Sequence, residues 1–273
     1  MKLTDPIAAA VAQVASPYQQ ATPYLGTSKI TTFLYCPRQF YYGYILKVQV
    51  PGSPAATLGT AIHSVIQHAH RMNWTSANAD EAKALMLETW AEVRQYTTDP
   101  DDPESNAAVV GAGDEWLPWY LWWTRMQIDV AVEERWEFPV GDSGVTLTGT
   151  IDRIYRECGR LLLSDVKSGR RSLSPVDLAN DLQLSIYAWA AGQMELCLDS
   201  LEHVVVRKQK TLSTIRTPEY ISAVMEQTVL PAAKAIEVAA ETDTWTCNTA
   251  SKWGCGFCRF QSVCEVGAGC EAA

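Results

Sequence analysis

The chain has 273 residues, 47% of them apolar and 10% aromatic, with 31 acidic against 22 basic side chains for a formal net charge of −9. That length buries a core in one large domain or two small ones, and the acidic balance excludes a broad basic surface that coats nucleic acid non-specifically. No apolar run reaches the roughly 18 residues of a helical membrane span, and the acidic balance leaves room for a local basic groove or a site whose carboxylates hold cations.

The first residues, MKLTDPIAAAVAQVA, hold only a short apolar stretch broken by Asp5 and Pro6. They read as a peripheral extension over 1–27 and not as a signal peptide. A cytoplasmic, reducing location is therefore expected, and the eight cysteines need a reason other than disulfides.

From Thr27 or Ser28, either of which can cap it, a helix is expected through Ile30, Phe33, Leu34 and Phe40, bent or restarted at Pro37. Residues 51–57 read as a loop, 58–72 as a second helix and about 80–96 as a third. The acidic stretch TTDPDDPESNAAVVGAGD reads as a mobile loop. A Trp-rich helix over roughly 115–131 follows, with Trp116, Trp119, Trp122 and Trp123 spaced as a packed stripe.

The period then changes from helical to alternating, giving strands over 132–140, 145–155 and 160–167, with GDSG and ECG as the turns. A helix over 177–194, a strand over 201–209, a long helix over 217–240 and a cysteine-rich tail from Trp245 complete the chain. This order predicts an α/β fold around a mixed sheet, with a helical N-terminal part and a small C-terminal cap.

In RLLLSDVK, alternation puts Leu161, Leu163, Asp165 and Lys167 on one face. A meander lays the strand carrying Asp152 beside it, so two carboxylates can converge on one hard cation. A D-x-K triplet alone is more often a solvated ion pair of little consequence. The wider pattern changes that balance, because His63 follows Gly59 by four residues, Asp152 follows Gly149 by three, and Gln183 and Tyr187 share one face of the next helix.

The ordered set G-x-x-x-H, G-x-x-D, D-x-K and Q-x-x-x-Y over about 58–187 resembles the RecB-like branch of the PD-(D/E)xK nuclease superfamily. The resemblance implies a restriction-endonuclease-like core over 28–273. It implies His63, Asp152 and Asp165 as ligands of Mn²⁺ or Mg²⁺, joined by the backbone carbonyl of Val166. Lys167 would be the catalytic lysine, Gln183 and Tyr187 would orient the site and touch the DNA backbone, and Glu133 would support the metal, with Glu134 as its competitor.

The tail holds C-x₂-C-x₅-C at Cys255, Cys258 and Cys264, and Cys36 in FLYCPRQFYY is the natural fourth thiolate. Residue chemistry leaves zinc and iron–sulfur both open. Cys247 and Cys270 are close enough to the tail to be alternative ligands; Cys158 and Cys197 read as ordinary thiols. The arrangement resembles the iron–sulfur staple of the CRISPR-associated Cas-four nucleases, and a similar one in the nuclease subunit of the AddAB helicase–nucleases. It implies a structural 4Fe-4S cluster on Cys36, Cys255, Cys258 and Cys264.

No G-x-x-x-x-G-K-[ST] loop is present, so no ATP use is expected. Arg170, Arg171 and Lys208 are the best candidates to contact nucleic acid. The expected activity is metal-dependent exonucleolytic hydrolysis of single-stranded DNA or DNA ends. The alternative is a DNA-end-binding subunit of a recombination or CRISPR-adaptation complex with little activity of its own.

Overall fold

In the computed structural model, which describes residues 24–170, 173–248, 255 and 258–265, the strand of the D-x-K triplet is the centre of the sheet. That strand, β4 (Arg160–Lys167), runs antiparallel to β3 (Thr146–Glu157), with Arg153 opposite Ser164 and Glu157 opposite Arg160. The two-residue turn between them works because Cys158 and Gly159 both take positive φ, 50° and 80°, the twist a tight hairpin requires.

On its other side β4 runs parallel to β5 (Ser200–Val205), from Leu162 opposite Ser200 to Lys167 opposite Val205. β5 pairs antiparallel with the edge strand β6 (Lys210–Thr214). β2 (Ile128–Pro139) pairs with β3, and β1 (Tyr24–Leu25) runs parallel to the start of β3 at Thr146 and Leu147. The sheet is mixed, as the element order predicts, and six residues in a row of β4 are buried because a central strand is covered on both faces.

The chain divides into two compact units. The first holds residues 1–50, 137–148 and 223–273, the second 51–136 and 149–222. In the second, helices α3 (Pro54–Arg71), α4 (Ala79–Val93), α5 (Pro103–Gly111) and α6 (Leu117–Thr124) bury Ile62, Val65, Met86, Trp90, Val109 and Leu117 in one cluster with Val166, Val204 and Val206 of the sheet. After β4, α7 (Pro175–Ala179) and α8 (Leu182–Gln193) cross over to β5.

Beneath the Trp-rich helix lies a buried charge, Arg153, satisfied on every side. Its Nε and Nη2 donate to Asp129 Oδ1, each at 2.6 Å, and it also donates to Gln127. His70 joins the network, 2.8 Å from Asp129 and 2.9 Å from the Tyr120 hydroxyl. Pairing of this kind is what allows a guanidinium to stay in a core.

In the first unit, α1 (Thr27–Tyr35) stops at Cys36, which is extended (φ −160°, ψ 109°), and α2 (Pro37–Phe40) restarts with Pro37 at its first position. The break falls where Pro37 predicts it, but the cap is Gly26, with no side-chain cap bond, in place of Thr27 or Ser28. Two helices complete this end of the chain, α9 (Pro218–Val224), which begins in the second unit, and α10 (Leu230–Glu241), which packs on α1.

Several expected elements differ. The stretch 97–114 is largely helical, because Asp102 accepts from Ser105 N at 2.7 Å and Pro103 occupies the first turn. Likewise α3 starts inside the expected loop, at Pro54, capped by Ser53. The Trp-rich helix ends at Thr124 and β2 begins at Ile128, so the helix is shorter and the strand longer than the pattern suggests. The expected helix 177–194 is two helices split at Asn180, and the expected strand 201–209 ends at Val205 in a 3-10 turn before β6. No helix among the described residues is long and apolar enough to cross a membrane.

Candidate active site and thiol pocket

Two side-chain groups meet in the second unit. His63 of α3, Glu133 of β2 and Asp152 of β3 each offer one ligand atom, all within 4.8 Å of one another. His63 Nδ1 lies 3.6 Å from Asp152 Oδ2, which also accepts the backbone N–H of Val166 at 2.8 Å. Glu133 takes φ of +50°, a left-handed kink in the middle of a strand that a non-glycine residue rarely adopts. Its competitor Glu134 is not part of the group.

Asp165, Lys167, Gln183 and Tyr187 form the second group, a continuous chain. Lys167 Nζ sits 2.6 Å from Asp165 Oδ2 and donates to Gln183 Oε1 at 2.7 Å. Gln183 Nε2 in turn donates to the Tyr187 hydroxyl at 2.8 Å. The i,i+4 spacing on α8 is what lines the amide and the phenol up behind the lysine.

The two motif glycines have a steric explanation. A Cβ at Gly149 would lie 2.6 Å from the Trp136 ring, and one at Gly59 would lie 2.9 Å from Ser168 Oγ, just past β4. Glycine at these places lets β3 close on an indole and α3 close on the end of β4.

Burial raises the cost of negative charge here. The Asp165 carboxyl is pushed up to about 6, first by burial and then by the charge of Asp152, against the pull of Lys167. Asp152 is raised as well, again chiefly by burial, with His63 and the Val166 N–H opposing and Glu133 adding to the rise. Two carboxylates that resist ionisation side by side, flanked by an imidazole and a third acid, make a donor set suited to a hard divalent cation such as Mn²⁺ or Mg²⁺.

Asp165 stands apart from the sequence expectation in one respect. Its carboxylate is engaged with Lys167 and is not part of the three-residue donor group. The carbonyl assigned to Val166 belongs to a residue whose neighbours are Val204 in the ladder and Asp152 at its N–H.

Sequence reasoning missed His203. It is buried, lies directly across from Asp165 in the parallel ladder, and places Nε2 3.7 Å from Asp165 Oδ2 and 3.9 Å from Asp181 Oδ1. Burial holds its imidazole below the ordinary value, against the pull of Asp165. No signal within one strand reveals this, because it depends on the register of two strands joined through α7 and α8. Of the expected nucleic-acid contacts, Arg170 pairs with Glu104, Lys208 is exposed at the end of the turn after β5, and Arg171 lies outside the described residues.

The thiols assemble in the first unit. Cys36, Cys247, Cys255, Cys258 and Cys264 line one pocket, together with Tyr35, Arg38, Tyr42, Asn248 and Phe260. Cys36 reaches it because the chain is extended between α1 and α2. Backbone bonds pin the far end of the sequence there: Arg38 N donates to Thr246 O at 3.0 Å and Asn248 N points at Cys36 Sγ at 3.5 Å. Phe260 and Cys264 are buried with Tyr42. No disulfide joins the described cysteines.

The Cys247 thiol is pushed up to about 12, first by burial and then by Cys36, Cys264 and Cys255. Several thiols lining one pocket are donors suited to a positively charged metal centre, which binds them as thiolates. Cys158 and Cys197 are exposed, and Cys270 lies outside the described residues.

A mixed sheet flanked by helices, with a D-x-K pair at the end of its central strand and an acid–imidazole group beside it, defines a restriction-endonuclease-like, metal-dependent nuclease fold. The model of the PD-(D/E)XK nuclease superfamily matches residues 24–265, and the chain belongs to that superfamily, whose members are metal-dependent nucleases that bind nucleic acid. A comparison with curated proteins finds no match. Among solved structures, that of SSO0001 is similar at 14% identity and a TM-score of 0.42, over 96% of this chain and 92% of that one.

Proposed function

We propose that the protein is a RecB-like nuclease of the Cas-four type, an exonuclease that hydrolyses single-stranded DNA or DNA ends and carries a structural 4Fe-4S cluster. The observation that carries the nuclease reading is the unbroken contact from Asp165 through Lys167 and Gln183 to Tyr187, beside the His63, Glu133 and Asp152 group.

In this reading His63, Asp152 and Asp165 hold Mn²⁺ or Mg²⁺, with the Val166 carbonyl as a further ligand and Glu133 as support. Such an ion polarises a phosphate oxygen and lowers the pKa of a bound water. Lys167 is an ammonium with three N–H donors. Its Nζ lies 2.6 Å from Asp165 Oδ2 and donates to Gln183 Oε1, which holds the amine where it can answer the charge that grows on the phosphate as water oxygen bonds to phosphorus and one P–O ester bond breaks. Gln183 and Tyr187 hold the lysine in that aim.

Cys36, Cys255, Cys258 and Cys264 would hold the cluster and tie the two chain ends of the first unit together. Cys247 shares their pocket. The five thiols around one cavity support this reading, and a brown protein with broad absorbance near roughly 400 nm after anaerobic purification is the expected result.

The nuclease reading is tested with end-labelled single-stranded DNA and Mn²⁺, comparing the wild type with Asp165→Ala and Lys167→Ala. Progressive shortening by the wild type and none by the variants is expected. No wild-type degradation, or equal degradation by all three, removes the enzymatic reading and favours the end-binding subunit.

A further inference from the structure

We infer that Arg170 and Arg207 form a binding point for a backbone phosphate of the nucleic acid, and that Glu104 of α5 occupies this point until the substrate displaces it. The inference rests on the nuclease reading and specifies where that site grips its substrate.

The two arginines come from neighbouring strand ends. β4 and β5 run parallel with Lys167 opposite Val205; Arg170 lies three residues past the first and Arg207 two past the second. Ligands of open α/β sheets bind at the carboxyl ends of strands. Here the exits of two parallel strands deliver two guanidiniums just beyond the catalytic lysine.

Both converge on one acid. Glu104 Oε1 contacts Arg170 Nη2, and Arg207 Nη2 lies 3.8 Å from the same oxygen. A carboxylate between two guanidiniums presents a single negative charge on two acceptor oxygens, as the non-bridging oxygens of a phosphodiester do. Arg207 is also positioned from behind, with its guanidinium 5.1 Å from the Trp116 ring centroid. Its side chain is 24% exposed, against 61% for Arg170 and 52% for Glu104, so Arg207 is held against the fold while Arg170 and Glu104 meet at the surface, where a ligand can reach them.

Glu104 has a local reason to be acidic, since it sits in the first turn of α5, where the helix dipole favours a carboxylate. That turn is already capped by Asp102 through Ser105 N, so capping does not require two arginines from the sheet. An exposed ion pair of this kind is weak, and a phosphate with two charged donors in place can displace it.

The test measures binding of a labelled single-stranded oligonucleotide by fluorescence anisotropy in EDTA, with the full chain as wild type, Glu104→Gln, Arg170→Gln/Arg207→Gln and the triple variant. Glu104→Gln tightens binding roughly two- to fivefold. The double arginine variant weakens it and flattens the salt dependence by about 0.7 of a unit of log–log slope, the loss of one phosphate contact on a single strand. The triple variant matches the double, because the acid matters only through the arginines. Unchanged affinity in Glu104→Gln, or equal tightening with the arginines gone, overturns the inference. Wild-type cleavage of the same oligonucleotide with Mn²⁺ separates the two claims: a protein that cleaves but shows either of those results loses only the gated phosphate point, and one that neither binds nor cleaves loses the nuclease reading with it.

Discussion

The carboxylate site and the thiol pocket solve opposite electrostatic problems. At the first, buried acids stand beside a cation of the chain itself: Lys167 answers Asp165, and the Val166 N–H and His63 answer Asp152. At the second, Cys247 is crowded by three other thiols, which only raise its pKa further. The acids are held in readiness with part of their charge already balanced, so their neighbourhood is formed by the fold. The thiols gather from ends of the chain more than two hundred residues apart (Cys36 and Asn248 differ by 212 positions), and in the proposed reading a bound cluster completes that gathering. Loss of the ligand is therefore expected to cost function at one site and structure at the other.

The largest effect breaks the comparison on the thiol side. Cys258→Ser with Cys264→Ser removes two of the thiols proposed to hold the cluster, and the melting transition should fall by an amount corresponding to several kcal/mol, as loss of a structural metal centre does. Calorimetry on anaerobically purified protein reads this. A double variant as stable as the wild type would show that the pocket needs no ligand.

On the acid side, Lys167→Ala should reduce the single-turnover cleavage rate by about 10²- to 10³-fold, the scale of losing one preorganised donor to a developing charge, while the content of the proposed cluster's iron stays at the wild-type level. Loss of iron in that variant would mean the two regions do not act separately.

Much of the site was legible because its spacings are short. The strand Arg160–Lys167 has the bounds its alternation suggests, and i,i+4 spacing on α8 placed Gln183 and Tyr187 on one face. What short spacing cannot reveal is which strand lies next to which. His203 faces Asp165 only through a parallel register set by the α7–α8 crossover, and Glu104 meets Arg170 only once α5 is recognised as a helix. That helix was hidden because PESNAAVVG has no apolar period and its signal is the cap Asp102 with Pro103. The edge strand β6, five half-polar residues, lacks the apolar alternation that marks the central strands.

The glycine of G-x-x-D sharpens the steric part of the account. Gly149→Ala places a methyl group against the rigid Trp136 ring, and it should destabilise the protein by about 1–3 kcal/mol, the usual cost of overpacking. Chemical denaturation measures this directly; a neutral alanine would show that the strand and the indole have room to part.

The smallest expected effect is a pH dependence. The carboxyl of Asp165 is raised from 3.8 to about 6 in the fold, so without metal its contribution favours the folded state at low pH and is lost as pH rises through about 6. A divalent ion reverses that penalty by favouring the carboxylate. The rise in melting temperature on adding Mn²⁺ should therefore grow between about pH 5 and pH 7, and a rise independent of pH would place the ion away from Asp165.

The central claim, that the acids and His63 form a metal site for catalysis, is tested most directly by calorimetric titration of Mn²⁺ into the wild type and into Asp152→Asn. Saturable binding by the wild type is expected, lost or strongly weakened in the variant while its melting transition is retained. Equal Mn²⁺ binding by the two proteins would contradict it.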